Sequence, residues 1–135
     1  LHPDRNVEFR RPDASLPWFR GDEGDLEEMA GNLLDNACKW ATKNVRVSLV
    51  ADRREASPML VVRVEDDGNG LTDEEASKVL RRGVRLDEKT PGSGLGLDIV
   101  KELIDVYGGS LQLGRSELGG LRAELRLPAA RPGRN

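Results

Sequence analysis

Leu60-Val61-Val62-Arg63-Val64-Glu65-Asp66-Asp67-Gly68-Asn69-Gly70 is a strand that runs into a turn. Its alternation puts Leu60, Val62, Val64 and Asp66 on one side. If that side faces the core, Asp66 is a carboxylate where an aliphatic residue is expected. A buried carboxylate is costly unless it accepts hydrogen bonds, and the exocyclic amine of a purine would supply one. Gly68 and Gly70 would let the backbone turn sharply and approach a flat ring. The same residues also read as an acidic turn leaving a strand, because Asp-Gly and Asn-Gly are common turn dipeptides.

The elements around this strand set the fold class. Val45 to Ala51 is a second β-rich run, joined to Met59–Asp66 by a charged turn that ends at Pro58, the pattern of a hairpin. Upstream, Val7 to Arg11 reads as a short strand, and Pro12 and Pro17 interrupt the stretch after it. From Asp25 the pattern is helical, with Leu26, Met29, Ala30, Leu33, Leu34, Ala37 and Ala41 on one apolar stripe. Downstream, Thr72 to Glu75 is a capping box opening a short helix to about Leu80. Arg81 to Ser93 has no periodicity and reads as a mobile loop. A second long helix is expected from near Gly94, with Ile99, Val100, Leu103, Ile104 and Tyr107 on one face, stopping at Gly108-Gly109. Ser110 to Gly114 and Leu121 to Leu127 are strands, and Ala129 to Asn135 is expected to be a disordered tail. Hairpins dominate and no regular βαβ series appears. The predicted architecture is an α/β (α+β) two-layer sandwich, a mostly antiparallel mixed sheet with three helices on one face.

Composition narrows the function classes. The chain has 135 residues, the size of one domain, with 37% apolar and 33% charged residues and a mean hydropathy of −0.55. Its 21 Lys+Arg against 24 Asp+Glu give a net charge of −3, which argues against a general nucleic-acid binder. No apolar run approaches the roughly 20 residues of a membrane-spanning helix. The single cysteine, Cys38, excludes an internal disulfide and a cysteine-based metal site, and it reads as a small helix residue. The single histidine, His2, leaves a histidine triad or histidine metal cluster without residues.

Two further stretches carry chemistry. On the first long helix Glu28, Asn32, Asn36 and Lys39 lie within about 80° of one another, opposite the apolar stripe. Asparagine is a mediocre helix former, so two of them one turn apart call for a reason. This is either a solvated face or a set of neutral oxygen donors beside a cation, suited to Mg²⁺ and phosphate. Gly92-Ser93-Gly94-Leu95-Gly96-Leu97-Asp98 is a glycine-rich loop entering a helix, where exposed N–H groups favour phosphate oxygens. It is not a P-loop, and it fails the dinucleotide fingerprint because Gly96 comes one residue early with no strand before it. A ligand-free hinge is the other reading.

Together, in this order and spacing, the three stretches resemble the catalytic ATP-binding domain of bacterial sensor histidine kinases, within the gyrase/Hsp90/histidine-kinase/MutL ATPase superfamily. Asn32-Leu-Leu-Asp-Asn-Ala-Cys-Lys-Trp40 resembles that family's N box, Asp66-Asp-Gly-Asn-Gly70 its G1 box and Gly92-Ser-Gly-Leu-Gly96 its G2 box. Asp35-Asn-Ala-Cys-Lys-Trp40 and the Arg-Gly-x-Arg-x-Asp segment from Arg82 look most like PhoQ-type members. The resemblance covers about Val7 to Leu127.

It implies the Bergerat ATP-binding fold over residues 1–128, with ATP and Mg²⁺ as ligands. Asn36 would ligate Mg²⁺, Asn32 would sit beside it near the phosphates, and Lys39 would contact phosphate. Trp40 would flank the nucleotide, Asp66 would bind the adenine amine, and Gly68 and Gly70 would line the ring. Gly92, Gly94, Leu95, Gly96 and Leu97 would form the ATP lid and its hinge, with Arg85 a phosphate partner. Asn32 stands where hydrolysing relatives carry a glutamate that activates water. General-base help is commonly worth 10²–10⁴-fold, so the site is expected to hydrolyse ATP poorly and to suit γ-phosphoryl transfer. The acceptor would be a histidine on a separate dimerisation domain, with a response regulator reached through the full-length kinase. The isolated piece is expected to be a monomeric cytoplasmic domain of an inner-membrane sensor kinase.

The sequence departs from the family at Val79-Leu80, where the F box is weak, at Thr90, where close relatives carry arginine, and in lacking a phospho-accepting histidine motif. The alternatives are an anti-sigma-type serine kinase or hydrolysing ATPase of the same superfamily, and a non-catalytic nucleotide-sensing module.

Overall fold

The computed structural model describes residues 5–10, 18–19, 21–52, 58–70, 72, 74 and 97–130. Among these, six strands form one sheet and two long helices cover it. The strands are β1 (Asn6–Arg10), β2 (Trp18–Phe19), β3 (Asn44–Asp52), β4 (Met59–Asp66), β5 (Ser110–Arg115) and β6 (Leu121–Ala130). The helices are α1 (Glu23–Trp40) and α2 (Leu97–Tyr107). β1 runs parallel to β3, and every other pairing is antiparallel. The sheet runs β1-β3-β4-β6, with β5 and β2 pairing successive parts of β6. This is the expected mixed, mostly antiparallel sandwich. The short helix from Thr72 and the loop from Arg81 lie outside the described residues, apart from Thr72 and Glu74.

α1 starts two residues before the sequence-based expectation because Asp22 caps it. The Asp22 Oδ1 accepts the N–H of Gly24 at 2.7 Å and of Asp25 at 3.3 Å. The predicted stripe does face the sheet: Met29, Leu33, Ala37 and Ala41 are buried against Val45, Val62, Val64, Ala123, Leu125 and Leu127. α2 adds Val100 and Ile104 to that core and ends at Gly108, whose φ of +69° suits glycine. Ile99, expected on the same face, is 39% exposed, because it lies 100° from Val100 at the margin of the buried arc.

Two corrections concern the strands. β2 was hidden in the proline-broken stretch, and it pairs only Trp18 with Ala130 and Phe19 with Ala129. The disordered tail expected from Ala129 does not begin there: β6 continues through Pro128 to Ala130. Pro128 has no N–H, and the next residue restores the ladder, Ala129 N–H donating to the Pro58 carbonyl at 3.1 Å.

The face of the sheet away from the helices carries charge. Arg46 bridges Glu8 at 3.2 Å and Glu117 at 2.7 Å, while Arg63 bridges Glu124 at 3.1 Å. Arg126 pairs with Glu124 and with Asp52.

Candidate nucleotide site

The site is built where β4 ends. Asp66 is the last residue of that strand and is 2% exposed, on the core side as its alternation requires. Its Oδ1 accepts the Gly68 N–H at 2.8 Å and the Leu121 N–H at 3.2 Å, and its carbonyl accepts the Gly120 N–H at 3.0 Å. Burial pushes the Asp66 carboxyl above the ordinary carboxylate range, the two N–H donors partly oppose this, and the neighbouring Asp67 charge adds to it.

Glycine at 68 is required by contact: a Cβ there would run into the carbonyl oxygen of Trp40, the last residue of α1. The end of that helix and the turn after β4 therefore touch backbone to backbone. Gly70 has φ of +71° and lies against Gly120.

Asp67 fastens the same two segments together. Its Oδ1 accepts the N–H groups of Thr42 at 2.9 Å and Lys43 at 3.0 Å, and its Oδ2 accepts the Asn44 side-chain amide at 3.0 Å. Desolvation alone would raise its pKa, but the Lys43, Asn44 and Thr42 donors outweigh it and hold the carboxyl below its usual range.

On α1 the Asn32 side-chain nitrogen donates to the Glu28 carbonyl one turn back, at 2.8 Å. This back-bonding lets an asparagine sit inside a helix. Asn36 and Lys39 are half-buried, and the Lys39 ammonium lies 5.4 Å from the centroid of the Trp40 ring. Trp40 itself is 40% exposed, leaving a flat aromatic surface at the end of the helix.

The structure thus brings Asp66, Gly68, Gly70 and Trp40 together, with Lys39 beside the Trp40 ring. Asn32 and Asn36 share the helix that ends there. Arg85, Gly92, Gly94, Leu95 and Gly96 lie outside the described residues, and Leu97 is the first residue of α2. Sequence reading missed the contributions of Asp67, Gly120 and Leu121. The Gly119-Gly120 pair was the available signal, read only as a strand connection.

A model of the histidine kinase-, DNA gyrase B- and HSP90-like ATPase family matches residues 21–131. The chain belongs to that family. The sensor protein kinase CarS of Pseudomonas aeruginosa is 46% identical to this ATPase-family chain over 123 residues, 91% of the chain and 26% of CarS. The sensor protein PhoQ of Escherichia coli is 38% identical over 107 residues, 79% of the chain and 21% of PhoQ. The chain therefore spans about a quarter of the length of these relatives. Among solved structures, a mycobacterial sensor histidine kinase, MprB, superposes with a TM-score of 0.74 at 28% identity, covering 96% of this chain and 85% of that one. These findings bear out the sandwich fold and the resemblance to histidine kinase ATPase domains, PhoQ included. Among the described residues no helix is long and apolar enough to cross a membrane.

Proposed function

We propose that this domain binds ATP with Mg²⁺ and donates the γ-phosphoryl to a histidine on a separate dimerisation domain of a parent sensor kinase. The observation that carries the reading is the buried Asp66 carboxylate, closed in by Gly68 and Gly120 and lying next to the end of α1. A fixed acceptor of this kind suits the 6-amino group of adenine. The exposed ring of Trp40 suits the side of a nucleotide, and Lys39 suits a phosphate.

The donor set fits the metal. Among the described residues no group of three or more His, Cys, Asp or Glu is placed to hold an ion. The side-chain carbonyl of Asn36, with phosphate oxygens, is the hard-oxygen set that Mg²⁺ accepts. Bound there, Mg²⁺ would neutralise phosphate charge. Asn32 has no basic group with which to activate water, and this favours transfer over hydrolysis.

On this reading the domain extends to Ala130, works as a monomer on the cytoplasmic side where ATP is available, and reaches a response regulator only through the full-length kinase. The roles assigned to Arg85 and Gly92–Leu97 are those that the family resemblance implies. No nucleic acid is involved.

Calorimetric titration of a non-hydrolysable ATP analogue, with and without Mg²⁺ and with GTP as control, tests the reading. Adenine-selective, Mg²⁺-assisted binding is expected, followed by phosphotransfer to a supplied histidine-bearing helical domain. Binding without transfer would move the non-catalytic module to the front. Steady ATP turnover by the domain alone would favour a hydrolase.

A further inference from the structure

The turn between β5 and β6 lies far in sequence from every stretch that marked the site, yet it forms one wall of it. Ser116 organises this turn: its N–H donates to the Gly120 carbonyl at 2.8 Å, and its carbonyl accepts the Gly119 N–H at 3.0 Å. The Ser116 hydroxyl accepts the Leu118 N–H at 3.0 Å and donates to Glu65 Oε2 at 2.8 Å. Ser116 and Glu65 are 3% and 5% exposed, so the turn is anchored from within the protein.

That anchoring delivers two backbone N–H groups to one residue. Gly120 donates to the Asp66 carbonyl and Leu121 to Asp66 Oδ1. The Gly68 N–H arrives at the same Oδ1 from the other direction. A Cβ on Gly120 would overlap Asp66 Oδ1 and stand 2.6 Å from Gly68 N and 2.7 Å from the Asp66 carbonyl oxygen. The carboxylate thus occupies the space that any side chain at position 120 would take.

Two donors on Oδ1 restrain the rotamer, and on the ATP-binding reading Oδ2 is then the oxygen that would meet the base. A carboxylate oxygen only accepts, so it attracts a 6-amino purine and repels the 6-oxo group of guanine or hypoxanthine. Removing or misaligning one partner of such a contact commonly changes affinity about 10–100-fold.

We propose that Gly120 and the Leu121 N–H are positioning elements of the nucleotide site that set its preference for a 6-amino over a 6-oxo purine by holding the Asp66 side chain in one orientation. This rests on the ATP-binding reading above and adds to it a determinant of base selectivity outside the three sequence boxes.

The test is calorimetric titration of ATP and ITP, which differ in the 6-substituent, into the parent chain, Gly120→Ala and Ser116→Ala. Circular dichroism establishes that each is folded. The parent is expected to prefer ATP. Gly120→Ala should lose about tenfold or more in ATP affinity with little change for ITP, so that the ratio falls towards one. Ser116→Ala adds no atom near Asp66 and loosens the turn, so its ratio should fall by roughly two- to fivefold. A folded Gly120→Ala with the parent ratio would overturn the proposal. If Gly120→Ala does not fold, Ser116→Ala decides: a lowered ratio supports it and an unchanged ratio overturns it. Failure of the parent to bind ATP would overturn this proposal together with the ATP-binding reading, whereas parent binding with unchanged ratios removes this proposal alone.

Discussion

The carboxylate of Asp67 accepts the backbone N–H of Lys43 at 3.0 Å, tying the turn after β4 to the segment that leaves α1. Thr42 and Asn44 complete the clasp. Asp67→Ala should lower the melting temperature by roughly 3–6 °C, and Asp67→Asn, which keeps an acceptor for Thr42 and Lys43, should recover part of it. The Asp67 carboxyl is held below its usual range, so its folded-state pKa is lower than its unfolded one. Its stabilisation is then complete above the ordinary value and is lost as pH falls through the lowered one. Thermal melts of parent and Asp67→Ala should therefore converge below about pH 4. A constant gap down to strong acid would show that the clasp does not depend on charge.

Asp66 behaves in the opposite sense. Burial raises its carboxyl, so protonation begins at a higher pH than for an exposed aspartate. By linkage, its proton stabilises the fold at low pH, and that contribution disappears as pH rises through the raised pKa. Nucleotide binding needs the unprotonated acceptor, so the ratio of ATP to ITP affinity should fall on acidification. The fall should come above the ordinary carboxylate value of 3.8. Using the ratio cancels titration of the phosphates. Asp66→Asn should bind ATP about 10–100-fold more weakly and keep only the acid limb that protonation of the adenine ring itself produces. ATP affinity unchanged in Asp66→Asn would remove Asp66 from the base contact.

The amide of Asn32 is bonded to its own helix at Glu28 and offers no base. Asn32→Glu should raise ATP turnover by the isolated domain by about tenfold or more, towards the lower end of general-base effects. Asn36→Ala should instead remove the Mg²⁺ dependence of binding and leave metal-free binding nearly intact. Phosphate release and calorimetry with and without Mg²⁺ separate the two. Equal losses with and without metal in Asn36→Ala would assign that residue a role other than Mg²⁺ ligation.

Tyr107 joins the far ends of the two helices. Its hydroxyl donates to Asp25 Oδ2 and accepts the Asp22 N–H at 3.1 Å, and its ring meets Phe19 edge-on at 5.0 Å. Tyr107→Phe keeps the ring packing and loses the hydroxyl bonds, so the melting temperature should drop by roughly 2–5 °C. Asp25 and Trp40 are fifteen residues apart on α1, about 22 Å of helix. ATP affinity should accordingly stay within about twofold of the parent. A larger change in affinity would mean that the two ends of α1 are coupled.

Local pattern made part of this molecule legible. The apolar stripe of α1 and the alternation of β4 follow from chain geometry, so Met29, Leu33, Ala37 and the buried Asp66 could be placed from spacing alone. The two-residue β2 has no period to read, and its pairing with Ala129 and Ala130 is decided by tertiary contact. Ile99 was misplaced because a helical face has margins that spacing does not define. Asp67 and Gly120 act across the fold rather than along the chain, so the Asp67-Gly68 turn and the Gly119-Gly120 pair marked bends without naming the residues they meet.

Leu121 reaches Asp66 across 55 residues, and Thr42 reaches Asp67 across 25. Contacts of such separation form late, after loop closure has brought the strands together. During synthesis, a chain whose residue 121 is still inside the ribosome has the Asp66 turn but not the wall that orients its carboxylate. On the ATP-binding reading, selective nucleotide recognition would therefore be acquired only once β6 has joined the sheet, and nucleotide capture would report a finished domain.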